Sequence, residues 1–146
     1  MDRPGWNEYF MKMADLAAKR STCIRRSVGA VLVKDRRVLA TGYNGAPKKL
    51  KHCEETGCLR AEMDVPSGQR HEICRGVHAE QNLIAQAGVH GVKTEGATVY
   101  CTNQPCVICA KLLINSGIAK IYYKNHYQEQ FTEKILDQSN IDYEVL

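Results

Sequence analysis

A chain of 146 residues, 44% hydrophobic and 25% charged, has material for one domain with its own core and too little for two. No apolar run is long enough to cross a bilayer, and the opening segment MDRPGWNEYF lacks the apolar centre of a secretory signal, so a cytoplasmic protein is expected. The 20 Lys and Arg against 16 Asp and Glu leave a net charge of +4, a mild excess that suits a small anionic ligand and does not by itself argue for nucleic-acid binding.

In residues 6–20, Tyr9, Phe10, Met13, Leu16 and Ala17 recur at helical spacing and predict an amphipathic first helix, with Lys19 and Arg20 at the end where cations complement the dipole. The polar connection STCIRR follows and holds Cys23. Residues 28–33 (VGAVLV) form a nearly continuous apolar run, consistent with a strand buried on both faces. KDRR at 34–37 reads as a hairpin turn, and VLATGY at 38–43 as the returning strand. Asn44-Gly45-Ala46-Pro47 ends that strand with turn chemistry.

From there to Arg75 the chain has little periodicity, but it carries Lys48, Lys49, Lys51, three cysteines and the turn Pro66-Ser67-Gly68. A loop of that length inside a compact domain is functional or disordered, and the cysteines favour function. Helical periodicity resumes over 78–87, with Ala79, Leu83 and Ala87 inward and Gly88 as its stop. ATVYC at 97–101 reads as a short central strand. Pro105 suits the first turn of a helix over 106–116, capped by Gly117. AKIYY at 119–123 predicts a strand parallel to the previous one, because a single helix connects them. A last helix over 131–138 and a fifth strand over 141–145 complete the chain, in the order α-β-β-α-β-α-β-α-β, which implies a three-layer α/β architecture. With no repeat or linker, residues 1–146 form a single domain with a cysteine-rich insertion at about 44–76.

Two short stretches carry the chemistry. VHAEQNL at 77–83 supplies the imidazole of His78 and the carboxylate of Glu80, and QPCVIC at 104–109 supplies the thiols of Cys106 and Cys109. One nitrogen and two sulfur ligands leave a tetrahedral zinc with an open corner, the mark of a catalytic site. Zinc lowers the pKa of a water at such a corner towards ~7. Glu80 is too close to His78 to be a second ligand and is well placed to move protons beside that water. A lone His-x-Glu is a solvated helix turn in most proteins, and a lone CxxC equally serves a zinc knuckle or a redox pair. Together, with Pro105 ahead of the first cysteine, they form the H-x-E and P-C-x-x-C signature that resembles the cytidine deaminase superfamily of zinc deaminases. His78 and Cys106 would both sit at helix starts, where two positive dipole ends favour thiolates.

Seven cysteines in a cytosolic chain argue for metal rather than disulfides, and the odd count leaves no complete pairing. Cys101 falls within a strand and reads as a plain core residue. Cys23, Cys53, Cys58 and Cys74, accompanied by His52 and His71, fall in loops, and His71-x-x-Cys74 and Cys53-x4-Cys58 have ligand-like separations. They are read as a closed structural zinc that staples the long loop to the first helix, against the plainer alternative of scattered reduced thiols.

The segments STCIRRSVGAV, ATGYNGAP, CRGVHAEQN, EGATVYCTNQPCVICAK and NSGIAKIYY are similar to those of deoxycytidylate (dCMP) deaminases of the competence-operon and archaeal type, over about residues 6–127. The GYNG run and the cysteine-rich insertion are not features of tRNA adenosine deaminases or free-nucleoside cytidine deaminases. The resemblance implies an α/β/α sandwich with a five-stranded mixed sheet and hydrolysis of dCMP to dUMP and ammonia, with Glu80 protonating N3 and then the leaving amine. It implies a second zinc on Cys23, Cys53, His71 and Cys74, with Cys58 competing for the place of His71. It sets the backbone of Ala30 against the pyrimidine amide, Asn44 against the sugar and base edge, and Tyr127 near the nucleotide. It also implies an effector loop at Gly42, Tyr43, Asn44 and Gly45, taking dCTP as activator or dTTP as inhibitor with Mg2+, and a homo-oligomer that is a hexamer in many members.

Arg25 and Arg26, just ahead of the first strand, are the expected phosphate ligands, because a planar guanidinium gives two hydrogen bonds to one phosphate. Three other hypotheses stand beside this one. A nucleoside or tRNA deaminase would share the zinc chemistry. A competence-related nucleic-acid-binding protein predicts salt-dependent DNA affinity, yet no basic helix or aromatic platform stands out. A silent zinc scaffold is at odds with the intact Glu80.

Overall fold

The computed structural model, which describes residues 2–125 and 130–146, is organised around strand β1 (Gly29–Lys34). Its side chains alternate between two cores: Ala30 and Leu32 enter one, Val31 and Val33 the other. That double burial is why the run is apolar throughout. Asp35 and Arg36 take positive φ (51° and 61°), as a two-residue primed turn requires, and the chain returns antiparallel as β2 (Arg37–Tyr43). β3 (Thr98–Asn103) pairs antiparallel with the other edge of β1, and β4 (Lys120–Asn125) and β5 (Asp142–Val145) add in parallel. The sheet order is β2-β1-β3-β4-β5, the expected five-stranded mixed sheet.

Helix α1 (Trp6–Ala18) covers one face, with Phe10, Met11 and Ala14 against Val31, Val33 and Tyr100. The other face is covered by α4 (Ala79–Val89), α5 (Val107–Asn115) and α6 (Gln130–Gln138), whose Leu83, Ala87, Ala110, Leu113 and Leu136 meet Ala30, Leu32, Val99 and Ile121. Two glycines permit close approach of helix to strand. A Cβ on Gly29 would lie 2.0 Å from the Ala14 carbonyl of α1, and one on Gly42 would lie 2.4 Å from the Ala79 carbonyl of α4.

Several boundaries and faces depart from the sequence expectation. The buried row of α1 is Phe10, Met11, Ala14 and Ala18, while Tyr9 and Leu16 are exposed, because the small residues Ala14 and Ala18 are the ones that let the helix settle on Gly29. α4 runs through Gly88 to Val89, and the positive φ that follows belongs to Gly91. Pro105 precedes the N-cap of α5 rather than entering its first turn, since Cys106 takes the cap role. The long segment is structured in short pieces: α2 (Cys53–Thr56), α3 (Leu59–Glu62) and a 3-10 turn (His71–Ile73). Each is too short to register as periodicity. Its base is pinned where Gly45 and Val77 exchange backbone hydrogen bonds of 3.1 and 2.7 Å.

Because β1 runs antiparallel to both neighbours, its N-terminal end meets the C-terminal ends of β2 and β3 at one edge of the sheet. The insertion leaves from that edge, and α5 begins just beyond it. No helix among the described residues is long and apolar enough to cross a membrane.

Candidate active site

At that edge His78 is the N-cap of α4 and Cys106 the N-cap of α5, with Cys109 in the first turn of the same helix. The ligand atoms of the three residues all lie within 4.8 Å of one another. His78 Nδ1 is 3.5 Å from Cys106 Sγ and 3.3 Å from Cys109 Sγ. Those separations suit the edges of a tetrahedron with zinc bonds of about 2.0–2.3 Å, and one nitrogen with two sulfurs is a zinc donor set. Local sequence holds the geometry: the side-chain oxygen of Gln81 accepts from His78 N–H at 2.8 Å, and Cys106 Sγ accepts from Cys109 N–H at 3.4 Å.

The electrostatics agree. The pKa of Cys106 is lowered to about 4, first by the hydrogen bond from the Cys109 thiol and then by His78, against the effect of burial. Cys109 is raised because it donates that bond and is buried, and His78 is raised chiefly by its bond to Cys106. Protons shared among three such groups are the ones a bound divalent cation replaces.

Glu80, the second residue of α4, is buried at 5% exposure, and desolvation pushes its pKa up. A buried carboxyl of this kind can hold a proton at one step and give it up at the next. Cys101 of β3 is more than a core residue: its thiol donates to Glu80 Oε1 at 3.4 Å. Burial, and then the neighbouring carboxylate, raise the pKa of Cys101, so it stays a thiol and a donor. Only the register shows this contact, which pairs Cys101 with Ala30 and turns it towards α4.

A cavity of about 280 Å³ opens beside Glu80, walled by Val28, Asn44, His78, Asn103 and Cys106 among others. Arg25 and Arg26 both line it. Arg25 is exposed and donates to the Val65 carbonyl at 3.3 Å, whereas half-buried Arg26 donates to Ser67 Oγ at 2.6 Å. Asn44 accepts from Val28 N–H at 2.9 Å and donates to the Arg26 carbonyl at 3.0 Å, bracing the entry to β1. Ala30 lies deeper, fully buried, and the cavity wall of that strand face is Val28, two residues earlier. Of the GYNG residues, Asn44 and Gly45 line the cavity, Gly42 packs on α4, and the Tyr43 carbonyl accepts from Asn82 at 2.7 Å. Lys48, Lys49 and Lys51 are exposed and outside the lining. Tyr127 lies outside the described residues. Arg60, which the sequence did not single out, is a buried member of the lining.

Cys23, Cys53, Cys58, Cys74 and His71 line the same cavity. Burial raises the pKa of Cys53, and the cysteines Cys23, Cys74 and Cys58 raise it further. Among the described residues their ligand atoms do not gather as closely as those of the His78 triad. Cys23 Sγ accepts from Arg25 N–H and Cys58 Sγ from Ala61 N–H, each at 3.4 Å. His71 instead sets its ring edge-on to His78, with centroids 4.8 Å apart.

Residues 4–125 match the family described as the cytidine and deoxycytidylate deaminase zinc-binding region. The chain is 39% identical over 145 residues to ComE operon protein 2 of Bacillus subtilis, which covers 99% of this chain and 72% of that protein. It is 41% identical over 140 residues to the deoxycytidylate deaminase of Saccharomyces cerevisiae, covering 95% of this chain and 44% of the yeast protein. It therefore spans less than half of that relative. A solved structure of the dCMP deaminase from cyanophage S-TIM5, in complex with dCMP and dUMP, superposes with a TM-score of 0.81 at 30% identity and covers all of both chains.

Proposed function

The chain belongs to the cytidine and deoxycytidylate deaminase family, and on that premise we propose that it hydrolyses dCMP to dUMP and ammonia. The observation that carries this is the convergence of His78, Cys106 and Cys109 on one point beside a buried Glu80, at the wall of a cavity with arginines in its lining. His78, Cys106 and Cys109 would hold a zinc ion, which when bound would supply Lewis acidity and lower the pKa of the attacking water. Glu80 takes a proton from the attacking water and delivers it to N3, which makes C4 electrophilic. As the C4–N4 bond breaks, Glu80 passes a second proton, from the new hydroxyl on C4, to the departing amine. One carboxyl does both because its buried setting keeps either protonation state within reach. Asn44 and Val28 shape the base and sugar end of the cavity, and of the two arginines expected at the phosphate it is half-buried Arg26, next to β1, that remains the candidate.

A second zinc in the insertion belongs to the same proposal. Cys23, Cys53 and Cys74 would hold it, and the turning of His71 towards His78 favours Cys58 as the fourth ligand. Regulation by dCTP and dTTP with Mg2+ at residues 42–45, and assembly into a homo-oligomer, rest on the family resemblance. Sedimentation with and without dCTP tests both. The central test is ultraviolet monitoring of dCMP, cytidine and deoxycytidine with purified protein. Turnover concentrated on dCMP is expected, and deoxycytidine consumed as efficiently overturns the substrate assignment.

A further inference from the structure

Arg60 comes from α3, inside the insertion, and only 9% of it is exposed although it lines the cavity. A guanidinium keeps its charge at any ordinary pH, so its burial calls for compensation from nearby acceptors or anions. One terminal nitrogen donates to the Pro66 carbonyl at 3.4 Å. Its Nε is buried with no hydrogen-bond acceptor, and none of the ion pairs among the described residues includes Arg60. A second guanidinium, Arg26, lines the same cavity. The pKa of Arg26 is lowered first by burial and next by the charge of Arg60. Arg26 also holds the hydroxyl of Ser67 at 2.6 Å, and Ser67 lines the same cavity.

Two like charges held at one cavity wall, one of them with a buried N–H to spare, form a receptor for an anion that takes several charge-assisted hydrogen bonds. We propose that Arg60 is the specificity-determining residue for the 5′-phosphate, closing on it from the insertion while Arg26 approaches from the start of β1. This inference rests on the substrate proposed above. It gives the insertion a direct part in substrate choice: the segment brings a fixed positive charge over the end of the sheet where the sheet itself supplies none. Arg25 has a different part, since it is exposed and already spans to the Val65 carbonyl, holding the insertion in place.

The plainer alternative is that Arg60 merely props up the Pro66 turn. The variants Arg60→Gln and Arg60→Lys separate the two, because both can still donate to the Pro66 carbonyl while only lysine keeps a charge, and that as a single point. The measurement is kcat/KM for dCMP and for deoxycytidine on the zinc-loaded full chain, with the melting-temperature rise produced by dUMP and by deoxyuridine as a binding readout. Arg60→Gln is expected to cut the preference for dCMP over deoxycytidine about 100-fold and to abolish the extra stabilisation by dUMP, with Arg60→Lys losing about 10-fold. A loss shared equally by both substrates, or a dCMP preference that survives in Arg60→Gln, overturns the proposal while leaving dCMP as the substrate. A wild-type protein that does not distinguish dCMP from deoxycytidine overturns the substrate assignment and this inference with it. If Arg60→Gln does not fold, the dUMP-against-deoxyuridine comparison on Arg60→Lys decides, and undiminished discrimination there overturns the proposal.

Discussion

Two groups of side chains with metal-binding chemistry, one a converged triad and the other a proposed site, face the same cavity and are supported in opposite ways. His78, Cys106 and Cys109 sit at the starts of α4 and α5, helices that bury Ala79, Leu83, Ala87, Ala110 and Leu113 against the sheet. Cys23 lies on the connection into β1, and Cys53, Cys58 and Cys74 lie in the insertion, where α2 and α3 bury no hydrophobic residue of their own. The first set converges to within 4.8 Å, while the second only lines a shared wall. Ligands carried on packed elements are preorganised by the core, whereas ligands carried on a loop gain their geometry from the ion that ties them together.

The sharpest way to break this contrast is at Glu80. Glu80→Gln is expected to lower turnover by about 10⁴-fold with zinc content unchanged, since the role proposed for the residue is to move protons and not to bind metal. Elemental analysis of the variant checks it, and loss of the catalytic ion would refute the assigned role. Cys106→Ser should lose both metal and activity.

The loop-borne set predicts a different phenotype. Cys53→Ser is expected to drop the zinc content from about two per chain to about one and to lower Tm by about 10 °C, because a structural ion contributes directly to folding. A wild-type content near one zinc per chain would remove the second site from the comparison.

Support by the core is itself open to test at the two close-approach glycines. Gly29→Ala and Gly42→Ala each press a Cβ into a helix backbone, and each should destabilise by about 1–3 kcal/mol in chemical denaturation. Only Gly42→Ala should also depress kcat, because the carbonyl it strikes belongs to Ala79, between His78 and Glu80. Equal kcat in the two variants would mean that α4 does not transmit position to the ligands.

The smallest effect is expected at Cys101. Cys101→Ala removes the thiol that donates to Glu80 and should lower kcat about 10-fold with KM little changed, while Cys101→Ser restores most of it. A role in packing alone would show as lost stability without rescue by serine.

Much of this was legible in the residues. Short apolar runs bounded by turn residues read out five strands, and the single helix between β3 and β4 made those two parallel; the His78, Cys106 and Cys109 triad was legible too, because each depends on separations of a few residues along the chain. The inward face of α1 departs from the periodic pattern, since Tyr9 and Leu16 are larger than Ala14 and Ala18 and the helix approaches too closely over Gly29 for large side chains there. The short helices of the insertion carry no periodic signal at all.

Sequence alone determined the fold class and picked out His78, Glu80, Cys106 and Cys109 as the candidate site, because local spacing decides which side chains share a helix start and which donors a zinc ion would meet. Tertiary structure alone decided that Cys101 touches Glu80, that His71 turns to His78, and that Arg60 shares a cavity with Arg26. Those contacts join residues separated by the strand register or by the folded insertion. Their distances depend on how the sheet edge and the insertion pack together, and no pattern along the chain encodes that.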